Sequence, residues 1–256
     1  GHINETTFKG RVEFKNVRFS YIPNIEVLKG ISFNLNPGET LAIVGPTGSG
    51  KTTIINLISR LYEIENGEIS IDNISINNYK LNCIRNNIGV ILQDVFLFAD
   101  TIQNNVTLFD DSISKDQVVN AAKELGIHEF IMSLPDNYNF NVQERGNTLS
   151  SGQKQLIAFM RVLIKNPDIL ILDEATSSID SYSEDLIKNA TTKITKNKTS
   201  IIIAHRLSTI ESASTIIYME DGLILEKGSH KELIGKENGR YRKLHKEQFT
   251  NVEILN

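Results

Sequence analysis

The 256-residue sequence contains a single cysteine, Cys83, and no tryptophan. One thiol cannot close an internal disulfide, and no grouping of cysteine with histidine suggests a metal site. A reducing, cytosolic setting is the default for such a chain. The missing tryptophan, beside abundant Asn and Ile, is read as biased codon usage and assigns no function. Apolar runs are short: none approaches the roughly 18 to 20 residues that cross a bilayer as a helix. The N-terminus lacks a signal-peptide pattern, and Gly1-His2 reads as a scar of tag removal. A dominant charge is lacking too. The formal net charge of −4 supplies no global basic field for nucleic acid or an anionic membrane. Internal repeats and low-complexity linkers are absent. What remains, 40% hydrophobic and 23% charged, is ordinary for a soluble globular protein. The length suits one large domain or two small ones with a substantial core.

Positive signals begin with alternation. Val12, Phe14, Val17 and Phe19 are apolar with polar residues between them, and Ile31, Phe33 and Leu35 alternate again before Pro37-Gly38. These predict half-buried antiparallel strands joined by turns. Asn66-Gly67 turns the chain into a further alternating strand over residues 68–71. Ile88 to Leu92 reads as a short buried strand ending at Gln93. Ser114-Lys115-Asp116-Gln117 has capping-box spacing before an apolar face of Val118, Val119, Ala121, Ala122 and Leu125, with Gly126 as the stop. Residues 95–165 therefore read as mostly helical. Ile169 to Leu172 is a continuous apolar run of the kind buried on both faces of a parallel sheet. A polar helix follows near residues 183–195, then a buried strand over 200–203. Two shorter strands near 216–219 and 223–226 precede a charged helical tail from about Ser229. Strand and helix alternating in this way predict a parallel sheet faced by helices.

One stretch organises the rest. Gly45-Pro46-Thr47-Gly48-Ser49-Gly50-Lys51-Thr52-Thr53 satisfies every fixed position of the phosphate-loop pattern G-x-x-x-x-G-K-[ST]. Leu41 to Val44 before it reads as a buried strand. Ile54, Ile55, Ile58, Leu61 and Tyr62 after it form one helical face. Glycines let backbone N–H groups close on phosphate oxygens while the new helix turns its positive end toward them. Lys51 would reach the β- and γ-phosphates, and the Thr52 hydroxyl would sit on Mg²⁺. The chain is expected to bind a nucleoside triphosphate.

Two further constellations bear on chemistry. Asp173-Glu174 ends the apolar run in the same α/β core, where Asp173 can hold Mg²⁺ near phosphates and Glu174 can polarise an attacking water as general base. Leu149-Ser150-Ser151-Gly152-Gln153 precedes a helix whose apolar face is Leu156, Ile157, Met160, Leu163 and Ile164. Serine and glycine there make good helix caps, and the same geometry also makes an anion site.

With the phosphate loop, the LSSGQ stretch, ILILDE and Ile203-Ala204-His205-Arg206, the sequence resembles the nucleotide-binding domain of ATP-binding cassette (ABC) transporters. The resemblance runs from about Phe14 to about Leu233. It implies an α/β fold: a P-loop NTPase core with a parallel sheet, an N-terminal antiparallel β subdomain and an inserted helical subdomain. On it, residues 3–256 form one ATPase domain. Its β-rich and RecA-like core covers about 10–94 and 166–235, its helical subdomain about 95–165, and its C-terminal helical tail about 236–256.

The resemblance also implies roles. Ser150, Ser151, Gly152 and Gln153 match the signature, usually written LSGGQ, which caps the γ-phosphate of ATP held by the opposite subunit. Gln93 matches the glutamine that contacts Mg²⁺ and the attacking water. His205 matches the switch histidine at the γ-phosphate, and Tyr21 the aromatic residue that stacks on adenine. Ser178-Ile179-Asp180 resembles the D-loop at the dimer interface. Taken singly, His205 could be a structural hydrogen-bonder and Tyr21 a strand aromatic. Two departures stand out. Ser151 replaces the usual second glycine of the signature, and Leu156 stands where the family often has arginine, which should alter packing only.

Phe96-Leu97-Phe98-Ala99-Asp100-Thr101-Ile102, with Glu144-Arg145-Gly146 before the signature, is similar to exporter-type cassettes. Their transmembrane domain is fused upstream on the same polypeptide, so the start of this chain suggests an excised domain. The expected activity is ATP hydrolysis with Mg²⁺ as cofactor, by Glu174, His205, Gln93 and Lys51. The expected partners are a second nucleotide-binding domain closing head-to-tail over ATP and the fused transmembrane domain, which alone would contact the membrane. No nucleic-acid partner is expected. The setting is the cytoplasmic face of a membrane, the inner or plasma membrane if bacterial. The alternative is a soluble cassette ATPase outside transport, which lacks support from the acidic balance and from any coiled coil or second cassette.

Overall fold

The computed structural model describes residues 1–4, 7–64, 66–174 and 179–247. The chain divides into two compact units. Unit 1 comprises Gly1–Ile88, Asp168–Glu174 and the segment from Asn197 onward; unit 2 comprises Gly89–Pro167 and Ala175–Lys196. In chain order the strands are β1 (Val12–Phe19), β2 (Leu28–Leu35), β3 (Thr40–Val44), β4 (Asn66–Ile71), β5 (Ile74–Ser75), β6 (Ile88–Ile91), β7 (Ile169–Asp173), β8 (Thr199–Ile203), β9 (Thr215–Glu220) and β10 (Leu223–Gly228). The helices are α1 (Lys51–Ile58), α2 (Leu81–Asn87), α3 (Ile102–Thr107), α4 (Lys115–Glu124), α5 (His128–Ser133), α6 (Ser151–Lys165), α7 (Ser181–Thr195), α8 (Leu207–Ser212), α9 (His230–Ile234) and α10 (Arg240–His245).

Unit 1 carries the expected pairing of an antiparallel and a parallel-containing sheet. The antiparallel sheet is four-stranded, ordered β2-β1-β4-β5. In β1 the apolar positions step by two, then by three from Phe14 to Val17, then by two again. A strand has a strict period of two, so the extra residue must be absorbed. A bulge does this: the register shifts between Phe14 and Val17, and Asn16 takes φ 45. All four apolar side chains then face inward and are buried, with the Phe14 and Phe33 rings stacked at 4.4 Å.

In the second sheet the unit 1 strands run β10-β9-β3-β8-β7. Strand β3 lies parallel between β8 and β9, and β7 lies parallel to β8. Every residue of β7 and β8 is buried. That is why they read as continuous apolar runs. The β9–β10 hairpin turns on Asp221 and Gly222, both with positive φ, as a two-residue turn requires. The division between the units falls within β6.

Unit 2 is built from α3 to α7, with α7 packed on α6. The buried side chains of α4 are Val118, Ala121 and Ala122, and both halves of its Ser114–Gln117 capping box form. The fully buried Asn105 amide holds the loop before α3: its Oδ1 accepts the Phe98 N–H at 2.8 Å, and its Nδ2 donates to the Phe98 and Thr101 carbonyls at 3.0 Å. Arg161 of α6 donates to the Asn105 and Phe96 carbonyls, and burial lowers its guanidinium pKa to about 10.

Three sequence expectations need local correction. Helix α1 ends at Ile58, because Arg60 takes φ 49, so Leu61 and Tyr62 leave the helical face and are exposed. Leu92 lies beyond the end of β6 and is exposed. On α6 the buried face takes in Phe159 and Val162 instead of Leu163 and Ile164, because the helix is covered over a wider arc than the apolar stripe suggested.

Candidate functional site

The phosphate loop owes its position to β3. Parallel neighbours on both sides fix where that strand ends, so Gly45 emerges at the carboxyl edge of the sheet, the usual ligand edge of open α/β folds. Gly45 has φ 143, and a Cβ there would lie 2.0 Å from the Met219 carbonyl oxygen of β9. Only glycine permits that approach. The far side of the loop is tied to the hairpin by the Gly222 N–H, which donates to the Ser49 carbonyl at 3.2 Å. Gly50 caps α1, so the first N–H groups of that helix open onto the loop.

Lys51 is buried and donates from Nζ to the Gly45 and Pro46 carbonyls, both at 2.8 Å, and to Ser49 Oγ at 3.4 Å. Burial lowers its ammonium pKa, while the nearby Asp173 carboxylate opposes that shift. Asp173 and Glu174 are both buried at the end of β7. The Glu174 N–H continues the sheet by donating to the Ile203 carbonyl.

Glu174 is held more fully than the sequence indicates. Its Oε2 accepts the backbone N–H groups of His205 and Arg206 at 2.7 and 2.9 Å. Its Oε1 accepts the Thr209 hydroxyl at 2.5 Å and lies 3.6 Å from the Arg206 guanidinium. His205 has its pKa lowered, chiefly by burial and then by Lys51 and Arg206, against an opposing effect of Glu174. A neutral imidazole, with one donor nitrogen, is thereby favoured. Thr209 is the partner that sequence reading missed. A threonine in the first turn of a helix carries no distinguishing pattern, and the Met219 carbonyl beside Gly45 carries none at all.

Tyr21 lies over α1. Its hydroxyl donates to Thr53 Oγ1 at 3.3 Å and accepts from Asn56 Nδ2 at 2.8 Å, while its ring packs edge-on against Phe19 and Tyr62. Part of the ring stays exposed. Unit 1 thus gathers Tyr21, the loop from Gly45 to Thr53, Asp173, Glu174 and His205. This donor set fits a magnesium nucleotide: a buried ammonium and outward N–H groups suit phosphates, while Thr52 and Asp173 offer the hard oxygens Mg²⁺ takes.

Gln93, Ser150, Ser151, Gly152, Gln153 and Asp180 belong to unit 2. There the capping reading of the LSSGQ stretch is realised. Ser150 Oγ accepts the Gln153 N–H at 3.2 Å, and Gln153 Oε1 accepts the Ser150 N–H at 2.9 Å. Ser151 is exposed within the chain. Asp180 caps α7 through the Ser183 N–H at 2.8 Å, which lowers its carboxyl pKa. Ser178 lies outside the described residues. A Cβ on Gly152 would lie 2.5 Å from Ser183 Cβ and 2.9 Å from Ile179 Cγ2, so α6 and α7 meet here without room for a methyl group. Gly152→Ala should therefore cost about 1–3 kcal/mol of stability. An unchanged denaturation midpoint would contradict that packing.

Comparison with known proteins identifies the family. The ABC transporter family matches residues 28–177. The chain is 46% identical over 244 residues to the ATP-dependent lipid A-core flippase of Haemophilus influenzae, covering 94% of this chain and 41% of that protein. It is 43% identical over 245 residues to the mitochondrial ABC transporter B family member 24 of Arabidopsis thaliana, covering 96% of this chain and 36% of that protein. A solved bacterial Atm1-family ABC exporter with ATP bound superposes with a TM-score of 0.88 at 38% identity, over 97% of this chain and 44% of the other. The chain thus spans less than half the length of these relatives. It belongs to the ABC transporter family, as a nucleotide-binding domain of the exporter type.

Proposed function

We propose that this chain binds ATP with Mg²⁺ in the loop from Gly45 to Thr53 and hydrolyses it as one of two domains closed head-to-tail, powering export through transmembrane domains on the same polypeptide. The observation that carries the reading is the convergence of a buried carboxylate pair, Asp173 and Glu174, with Lys51 and His205 at one edge of the sheet. The length of the relatives beyond the matched region supports fused transmembrane segments, which would put the domain at the cytoplasmic face of a membrane. Choice of cargo then belongs to those segments.

Lys51 gives up its loop carbonyls for β- and γ-phosphate oxygens, exchanging weak internal acceptors for charged ones. Thr52 and Asp173 would hold the cation, a role the family resemblance implies for Gln93 as well, and the cation would neutralise charge on the phosphates. Glu174 takes the proton of the attacking water. Both its oxygens already have donors, so this role requires one of them to exchange a partner for water. His205, as the neutral imidazole, donates to the γ-phosphate. Ser150, Ser151, Gly152 and Gln153 complete the site of the second copy, so each phosphate loop is half of a site.

Turnover should then depend on association. At dilute concentration the ATPase rate per mole of chain rises in proportion to chain concentration, and it reaches a plateau only when pairs predominate. Steady-state phosphate release across a dilution series, with sedimentation to record the fraction paired, checks this. A constant rate per mole in strictly monomeric protein would overturn the two-copy reading.

A further inference from the structure

Away from the nucleotide residues, three side chains from three helices of unit 1 converge. Glu211 lies on α8, His230 opens α9 and His245 closes α10. His230 Nε2 lies 3.6 Å from Glu211 Oε1, and His245 Nε2 lies 3.9 Å from the same oxygen. One ligand atom from each residue lies within 4.8 Å of the others. The imidazole rings are 5.5 Å apart at 50°, so they are splayed and not stacked. Glu211 is half-exposed and both histidines partly so, while the His245 Nε2 atom itself is buried.

We propose that Glu211, His230 and His245 form a binding site for a divalent transition-metal ion of the zinc class. Two imidazoles with one carboxylate suit Zn²⁺ and its neighbours, whereas Mg²⁺ selects oxygen. Ligand atoms about 2.0–2.1 Å from a tetrahedral ion stand roughly 3.3 Å apart. The distances to Glu211 exceed that by a few tenths of an ångström, within reach of small side-chain rotations. Three protein ligands leave a fourth position for water.

The surroundings permit the metal-ready tautomer. His230 Nδ1 lies 2.7 Å from the Tyr241 hydroxyl oxygen, so Nδ1–H can donate there and leave the Nε2 lone pair facing Glu211. Fixing one ring nitrogen so that the other binds is how outer partners orient metal-bound histidines. Tyr241 is itself anchored, its N–H donating to Glu226 at 3.0 Å. The ion would clip α10 to α8. Because Thr209, the partner of Glu174, lies two residues before Glu211 on α8, the clip stiffens the helix that supports the carboxylate.

The test uses the chelator-stripped chain with Zn²⁺ alone as probe. Equilibrium dialysis should show one saturable equivalent, retained in excess Mg²⁺, and a rise in melting temperature on loading. Glu211→Gln and His245→Asn should each weaken binding more than about tenfold, while His2→Ala leaves it unchanged. X-ray absorption on the loaded wild-type protein should show two imidazoles and an oxygen donor, a result that does not depend on the variants folding. Absence of saturable binding, full affinity in both variants, loss in His2→Ala, or fewer than two imidazoles in the spectrum would overturn the proposal.

Discussion

Glu174→Gln lowers ATP turnover by roughly 10²- to 10⁴-fold, the usual worth of a positioned general base, while ATP stays bound and the paired state accumulates. The amide keeps the size of the carboxylate and loses its basicity. It also loses acceptor capacity. Glu174 receives three hydrogen bonds, from His205, Arg206 and Thr209, and faces the Arg206 guanidinium. A glutamine turns an NH₂ group toward some of these donors, leaving buried groups unpaired at a cost of about 1–3 kcal/mol. Single-turnover hydrolysis, nucleotide retention on gel filtration and thermal denaturation separate the effects. Wild-type turnover in Glu174→Gln would remove the general-base assignment, and an unchanged melting temperature would contradict the hydrogen-bond network. Thr209→Val supplies a contrast: it takes away one donor and keeps the base, so turnover should fall far less than in Glu174→Gln.

Gly45→Ala is the second large effect, and it acts through shape alone. The new methyl group would start 2.0 Å from the Met219 carbonyl oxygen, a backbone atom in a strand paired on both sides. Neither partner can yield by a rotamer change, so the loop must move. The cost combines strain at φ 143 with overpacking, each about 1–3 kcal/mol. Nucleotide affinity should drop by roughly a hundredfold if the loop absorbs the displacement, since each 1.4 kcal/mol is tenfold; otherwise the denaturation midpoint falls. Equilibrium binding of a fluorescent ATP analogue, with a urea titration of the same protein, measures both. At Gly48 a Cβ would meet no protein atom within 4 Å, so Gly48→Ala should lower the denaturation midpoint less than Gly45→Ala does. Equal behaviour of the two alanine variants would refute the close approach at Gly45.

Much of the architecture was legible because its signals are local. Continuous apolar runs predicted the buried strands β3, β7 and β8, and capping-box spacing predicted the start of α4. Misreadings arose where periodicity continued past a backbone break: Leu61 and Tyr62 hold helical spacing, yet the left-handed turn at Arg60 ends α1 before them. In β1 the opposite happened. A broken alternation still makes one buried face, since the bulge at Asn16 restores the phase.

The same division applies to function. By itself the sequence determined which family the chain belongs to and pointed to the chemistry proposed for it, because the phosphate loop, the Asp173-Glu174 pair and the stretch from Leu149 to Gln153 are contiguous patterns of glycines, hydroxyls and charges. Tertiary structure decided what surrounds them. It set Met219 against Gly45, seated Thr209 and the His205–Arg206 backbone on Glu174, and drew Glu211, His230 and His245 from three helices to one place. Such contacts join residues far apart along the chain through carbonyls, amides and side chains with no fixed spacing, and only packing brings them within bonding distance.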